Sequence, residues 1–175
     1  FETARILEAW ESIPAQLAKD NKKFQYKTVR SGGRASQYQA AITWLVEAGL
    51  VNRSIQVTSG STPLKLHDNR ENLKIYMANT GLLSARLRLQ VDAFLNEQTR
   101  AKIDKGLIIE NYVAQSLTAS GFDLYYWTSK GKAELDFIFD GESEKAIPVE
   151  VKSSANVRSR SLSVYREKYG PELSM

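Results

Sequence analysis

The sequence predicts an α+β protein, and three observations predict it. Apolar residues recur at helical spacing near residues 3–17, 38–46 and 107–117. Other runs alternate apolar and polar with the period of two that marks a half-buried strand. The chain has 175 residues, with 42% hydrophobic and 25% charged content. That is a globular composition with enough length to bury a core, in one ordinary domain or two small ones.

The elements follow in order. ETARILEAWESIPAQLAKD carries Ile6, Leu7, Trp10, Ile13 and Leu17 at helical spacing, with Pro14 expected to kink the helix or split it in two. NKKFQYKTVRSGGR reads as a loop with paired glycines. ASQYQAAITWLVEAGLV places Tyr38, Ala41, Ile42, Leu45 and Val46 on one stripe, with Gly49 as the C-terminal cap. Leu50 to Thr58 reads as a strand, SGSTP as a turn and LKIYMA as a second strand.

Helices followed by a two-stranded wing give the outline of a winged helix. In that architecture the helix before the wing is the groove-reading one. It offers Arg34, Gln37, Gln39 and Thr43 off the apolar stripe. These residues read equally as DNA contacts or as the solvated face of a packing module.

Residues 84–104 are polar and charge-rich and are expected to join two lobes, 1–83 and 105–175. The second lobe reads α-β-β-β-α. It runs through the helix GLIIENYVAQSLTASG, the strands FDLYYW, ELDFIF and AIPVEVK, and the closing helix VRSRSLSVYREKY. Tyr125, Tyr126 and Trp127 are expected in the core rather than as base-stacking platforms.

Several function classes are narrowed by composition. There is no cysteine, so no disulfide framework and no thiolate metal site. His67 is the sole histidine, which leaves no partner for a zinc site or a nucleophile relay. No apolar run has the length of a membrane span, and a cytoplasmic location is expected. The net charge of +4 permits nucleic-acid binding without demanding it. The chain opens on Phe1 rather than Met, so it is expected to be a fragment or a processed form.

The chemistry concentrates in the second lobe. In ELDFIF, alternation puts Leu135, Phe137 and Phe139 on one face and Glu134, Asp136 and Ile138 on the other. A hairpin centred on Ser143 sets Asp136 opposite Glu150. Opposed carboxylates about 5 Å apart repel by about 3 kcal/mol at an effective dielectric near 20. A cation between them removes that cost, and hard oxygen ligands suit Mg²⁺ or Mn²⁺. Lys152 lies one pleat further along. Glu110 falls on the stripe of Leu107, Val113, Ala114 and Leu117, so it is a carboxylate on the core side of its helix. Three acids and one amine are thus expected to converge, either as a metal site or as a structural salt-bridge cluster.

Glu110, Asp136 and Glu150-Val151-Lys152, on helix, strand and strand, resemble the PD-(D/E)XK nuclease superfamily. The resemblance implies that Asp136, Glu150 and Glu110, with the main-chain carbonyl of Val151, hold Mg²⁺ while Lys152 helps activate water. Leu135 stands where the superfamily motif has proline. A longer resemblance runs through WESIPAQLAKDNKKFQY, YQAAITWLVEAGLV, LKIYMANTGLL, ENYVAQSL, YYWTSKGKAELDFIF, IPVEVKSS and SRSLSVYREKYGPELS. These are similar to the region after the ATPase module in bacterial and archaeal predicted AAA-type ATPases. That region is a domain of unknown function with a winged-helix part and a nuclease-like part.

This resemblance implies an ATP site upstream of Phe1; the chain itself contains no G-x-x-x-x-G-K-[ST]. It also implies a further strand past Met175, so the sheet edge is expected to be incomplete here. DNA and the upstream ATPase are the expected partners, with a homo-oligomer as a further possibility. Arg158, Arg160, Arg166 and Lys168 around the closing helix are candidate phosphate contacts, or simply its solvated face. The expected function is Mg²⁺- or Mn²⁺-dependent DNA cleavage. The alternative is a catalytically silent module that docks DNA or a protein for the ATPase.

Overall fold

The computed structural model describes residues 2–19, 22–89, 105–129, 133–141, 145–152 and 159–175. Its elements are α1 (Glu2–Leu17), α2 (Tyr26–Val29), α3 (Ala35–Glu47), β1 (Val51–Val57), β2 (Asp68–Met77), α4 (Thr80–Arg86), α5 (Lys105–Ala119), β3 (Tyr125–Thr128), β4 (Glu134–Asp140), β5 (Ala146–Val149) and α6 (Arg160–Tyr169). A short 3-10 turn at Leu64–His67 precedes β2. The class is α+β.

The helices form where the apolar stripes lie. Ala9, Ile13 and Leu17 of α1 are buried, as are Tyr38, Ala41, Ile42 and Leu45 of α3. The two helices pack on each other through these faces. Pro14 lies inside one helix that spans Glu2–Leu17, not at a break between two. It sits in the last turn, and the amide of Ala18 still bonds its carbonyl. The segment after α1, read as loop, contains the single turn α2. Gly49, at φ 66°, ends α3 with the left-handed residue that glycine adopts without strain.

The five strands make one mixed sheet in the order β2-β1-β3-β4-β5. β1 and β2 are the antiparallel pair expected as a wing. The far edge of β1 pairs parallel with β3, through Ile55–Tyr125, Gln56–Tyr126 and Val57–Trp127. The two expected lobes therefore share a single sheet. β3, β4 and β5 follow as an antiparallel meander.

Two clusters of buried apolar side chains flank the sheet. One gathers α1 and α3 with Leu107 and Ala114 of α5, and with Phe137, Phe139 and Val149. The other gathers Tyr165 of α6 with Val57, Tyr125, Trp127, Leu135, Ile138 and Ala146. Phe137 and Phe139 alternate with Ile138 along β4, so α5 and α6 cover opposite faces of it. Tyr125, Tyr126 and Trp127 are buried.

One strand departs from simple alternation. Leu135 joins Ile138 in the α6-side cluster and is separated from Phe137 and Phe139. The ladder shows why: Tyr125 pairs with Ile138, but Trp127 pairs with Leu135. β4 advances one residue more than β3 there, and this bulge breaks the face assignment that alternation predicts.

Candidate functional site

α5 supplies Glu110, on the buried side with Leu107, Asn111 and Ala114. Glu110 is 4% exposed. A carboxylate so placed needs donors. Tyr76 Oη donates to Oε1 at 2.6 Å, and the Lys22 ammonium holds Oε2 in a short charged contact. Next to it, Asn111 of the same helix bonds both polar groups of the Met77 backbone, which locks α5 onto the end of β2.

β2 supplies Lys74, 1% exposed. Its Nζ lies 2.8 Å from Glu134 Oε1 and 3.9 Å from Glu110 Oε1, and sits 5.0 Å from the centroid of the Tyr126 ring. Burial disfavours the ammonium, but Glu110, Glu134 and Asp136 outweigh it and leave the Lys74 pKa above the ordinary lysine value. Burial, reinforced by the Glu110 carboxylate, drives the Tyr76 phenol well above its usual range.

β4 supplies Asp136, at the bulge. The ladder with β5 is recorded from Asp140–Ala146 down to Phe137–Val149. At the next step the amide of Val151 donates to Asp136 Oδ2 at 2.8 Å, so a side-chain carboxylate closes the strand end. Asp136 is pushed up to about 6. Burial is the largest cause, and Glu110 adds to it; Lys74 and the Val151 amide oppose the shift, and Glu150 raises it again.

Glu150 follows β5 directly. Its own amide turns outward to the carbonyl of Met175, whose amide bonds the carbonyl of Pro148. The tail after α6 thus lies along the β5 edge, where the resemblance left an edge open. Lys152 Nζ holds Glu150 Oε1 at 2.7 Å. Glu150 Oε2 is buried and has no hydrogen-bond donor among the described residues.

The sequence-predicted residues thus divide. Glu110, Asp136, Glu150 and Lys152 lie in one electrostatic neighbourhood, since the charges of Glu110 and Glu150 act on Asp136 and that of Asp136 acts on Lys152. Val151 enters through its amide. Arg34 and Gln37 stand elsewhere, at the start of α3, where the Gln37 side chain accepts the Arg34 amide at 2.9 Å as a cap. Arg160 is exposed at the start of α6. Arg166 donates to Ser174. Lys168 lies over the Tyr169 and Trp127 rings, with the α6 aromatic cluster. Arg158 falls outside the described residues.

Three members of the cluster, Lys22, Lys74 and Tyr76, were not singled out by sequence reasoning. Lys74 and Tyr76 did leave a signal. They alternate with Leu73, Ile75 and Met77 in a strand buried on both faces. Lys22 sits in a connection and left none. Glu134, half exposed at the start of β4, pairs with the buried Lys74 at 2.8 Å.

Among the described residues, no three His, Cys, Asp or Glu side chains converge closely enough to hold a metal ion. The oxygens of Glu110 are both engaged, so it does not serve as a free ligand in this arrangement. Asp136 and Glu150 differ: burial and the Glu110 charge resist ionisation of the one, and the other has a buried oxygen with no hydrogen-bond donor among the described residues. Two hard-oxygen donors of this kind fit Mg²⁺, which is commonly held by one or two carboxylates with water completing its shell. A groove of about 500 Å³ lies elsewhere, lined by Arg53, Lys65, Arg70 and Tyr125, and borders none of these acids.

No curated protein and no solved structure matches the chain. Residues 105–174, which carry the acids and Lys152, match the family described as Domain of unknown function (DUF4143). Residues 2–93 match Domain of unknown function (DUF8612). That match covers more than half of the 175 residues, and the chain belongs to the DUF8612 family.

Proposed function

We propose that this chain is a divalent-metal-dependent phosphodiester hydrolase acting on DNA, in the region that follows an AAA-type ATPase module, in the cytoplasm. One observation carries the reading. The buried Oε2 of Glu150, without a donor among the described residues, shares a neighbourhood with Asp136, a carboxyl whose charge its surroundings resist. Unspent negative charge at two adjacent acids, with an ammonium beside them, is what a cation and a phosphate would relieve. Asp136 and Glu150 would hold Mg²⁺ or Mn²⁺, with the Val151 carbonyl as the resemblance implies. The ion would supply a lowered water pKa and charge stabilisation. Lys152, partly exposed and already at Glu150, orients water or offsets developing negative charge. Glu110, saturated by Lys22 and Tyr76, supports the cluster from behind. Among the described residues no helix is long and apolar enough to cross a membrane.

Supercoiled plasmid incubated with the protein and Mg²⁺ or Mn²⁺ should be nicked. Asp136→Ala and Glu150→Ala should each lower the rate by at least a hundredfold. Unchanged nicking in the double variant removes the proposal. A second reading, a silent docking module, draws on the internal pairing of Asp136 to the Val151 amide and of Glu150 to Lys152. It gains if millimolar Mn²⁺ leaves the melting temperature unmoved.

A further inference from the structure

The charged cluster draws members from both matched segments, and Lys74 is the one that spans them. β1 and β3 lie between β2 and β4 in the sheet. Lys74 and Glu134 nonetheless meet at 2.8 Å, with the Lys74 ammonium 5.0 Å from the centroid of the Tyr126 ring on β3. The same ammonium lies 3.9 Å from Glu110 on α5. A lysine with 1% exposure is not a surface cation that happens to pair. Glu110, Glu134 and Asp136 act on its charge and the Tyr126 ring lies against it, while Lys22 and Tyr76 share Glu110 with it and Glu150 acts on Asp136.

We propose that Lys74 is a positioning residue of the candidate site. It is a fixed cation from the DUF8612-matching segment that holds Glu110 and Glu134 in place. By doing so it frames Asp136 and Glu150, which belong to the other segment. The site is then a joint product of both segments, and residues 105–174 carry its motif without carrying its counter-charge. The catalytic half of this inference rests on the hydrolase reading; the positional half does not.

The test uses the full chain and the variants K74M, K74R, E110Q and K74M/E110Q at pH 8 without metal. K74M is expected to lower the melting temperature by about 5 °C, because Glu134 loses its ion pair and Glu110, still held by Lys22 and Tyr76, loses a neighbouring buried cation. In the E110Q background the same substitution should cost measurably less, the mark of a coupled pair. K74R should stay within a few degrees of the wild type. If the wild type cleaves DNA, K74M should lose at least tenfold in kcat with KM within about twofold, and K74R should recover most of the rate.

Equal costs of K74M in both backgrounds would overturn the proposal, as would a folded K74M with wild-type kcat. Should K74M fail to fold, a folded K74M/E110Q supports the proposal, and its failure beside a folded E110Q refutes it. A wild type that never cleaves sinks the hydrolase reading alone, and the melting cycle still decides Lys74.

Discussion

Asp136 is burdened by its own charge. Burial and the Glu110 carboxylate hold its carboxyl up to about 6, against an ordinary value of 3.8. A carboxyl raised on folding contributes stability below the unfolded value. That contribution is lost as pH rises from near 4 through about 6. Two pKa units correspond to something on the order of 3 kcal/mol. In metal-free buffer at pH 7.5, Asp136→Asn should therefore raise the melting temperature by about 5 °C or more. The gain should vanish below pH 4, where both proteins are neutral at this position; a flat difference across pH would contradict the burden. Tyr126 is a milder case. Its hydroxyl is buried with no hydrogen-bond partner among the described residues, while its ring meets Lys74. Tyr126→Phe keeps the ring and removes the orphan, so chemical denaturation should find it neutral or up to about 1 kcal/mol more stable. Lys74 was visible in the sequence as a charge inside an apolar alternation. Its partners were not, because Glu110 and Glu134 are distant along the chain and adjacent only across the sheet.

At the scale of elements, β4 decides how the acids are presented. Simple alternation groups Leu135 with Phe137, and the bulge separates them, giving Leu135 to the α6 side and Phe137 to the α5 side. Nothing local in ELDFIF announces the extra residue, since a bulge is defined against the partner strand. The β4–β5 register is different. The ladder pairs Phe137 with Val149 and Asp140 with Ala146, the centring on Ser143 that the Asp-Gly turn suggested. Turn chemistry and strand pattern were enough for it. α6 is seated by a close approach that sequence could not reveal. A Cβ on Gly60 would lie 2.5 Å from Tyr165 Oη and 2.6 Å from its ring, and that hydroxyl bonds the Gly60 carbonyl at 3.1 Å. SGSTP reads as a turn for its glycine, but the glycine is needed for α6. Gly60→Ala should cost about 1–3 kcal/mol in urea unfolding, as overpacking does; a neutral result would mean that α6 shifts freely.

At the scale of the molecule, the two family matches cover residues 2–93 and 105–174. The sheet nonetheless runs through both, because β1 pairs with β3. Lys22, Lys74 and Tyr76 meet Glu110 across the same junction. Two segments sharing backbone hydrogen bonds and buried charge should unfold together. Trp10 and Trp44 lie in one segment and Trp127 in the other. Single-tryptophan variants that report each segment should give superimposable denaturation curves. Two separated midpoints would show independent domains joined at an edge.

What the sequence determined by itself was periodic or local. The stripes of α1, α3 and α5, the core side for Glu110, the β4–β5 register and the small set of acids worth weighing all follow from side-chain spacing and turn residues. Only the tertiary structure decided the β1–β3 pairing, the bulge that re-aims Asp136, the seat of Gly60 beneath Tyr165 and the claim of Lys74 on two carboxylates from the other segment. Each of these depends on which surfaces meet across the sheet, and burial then makes the unpaired alternative costly. Spacing along one strand contains no record of that choice.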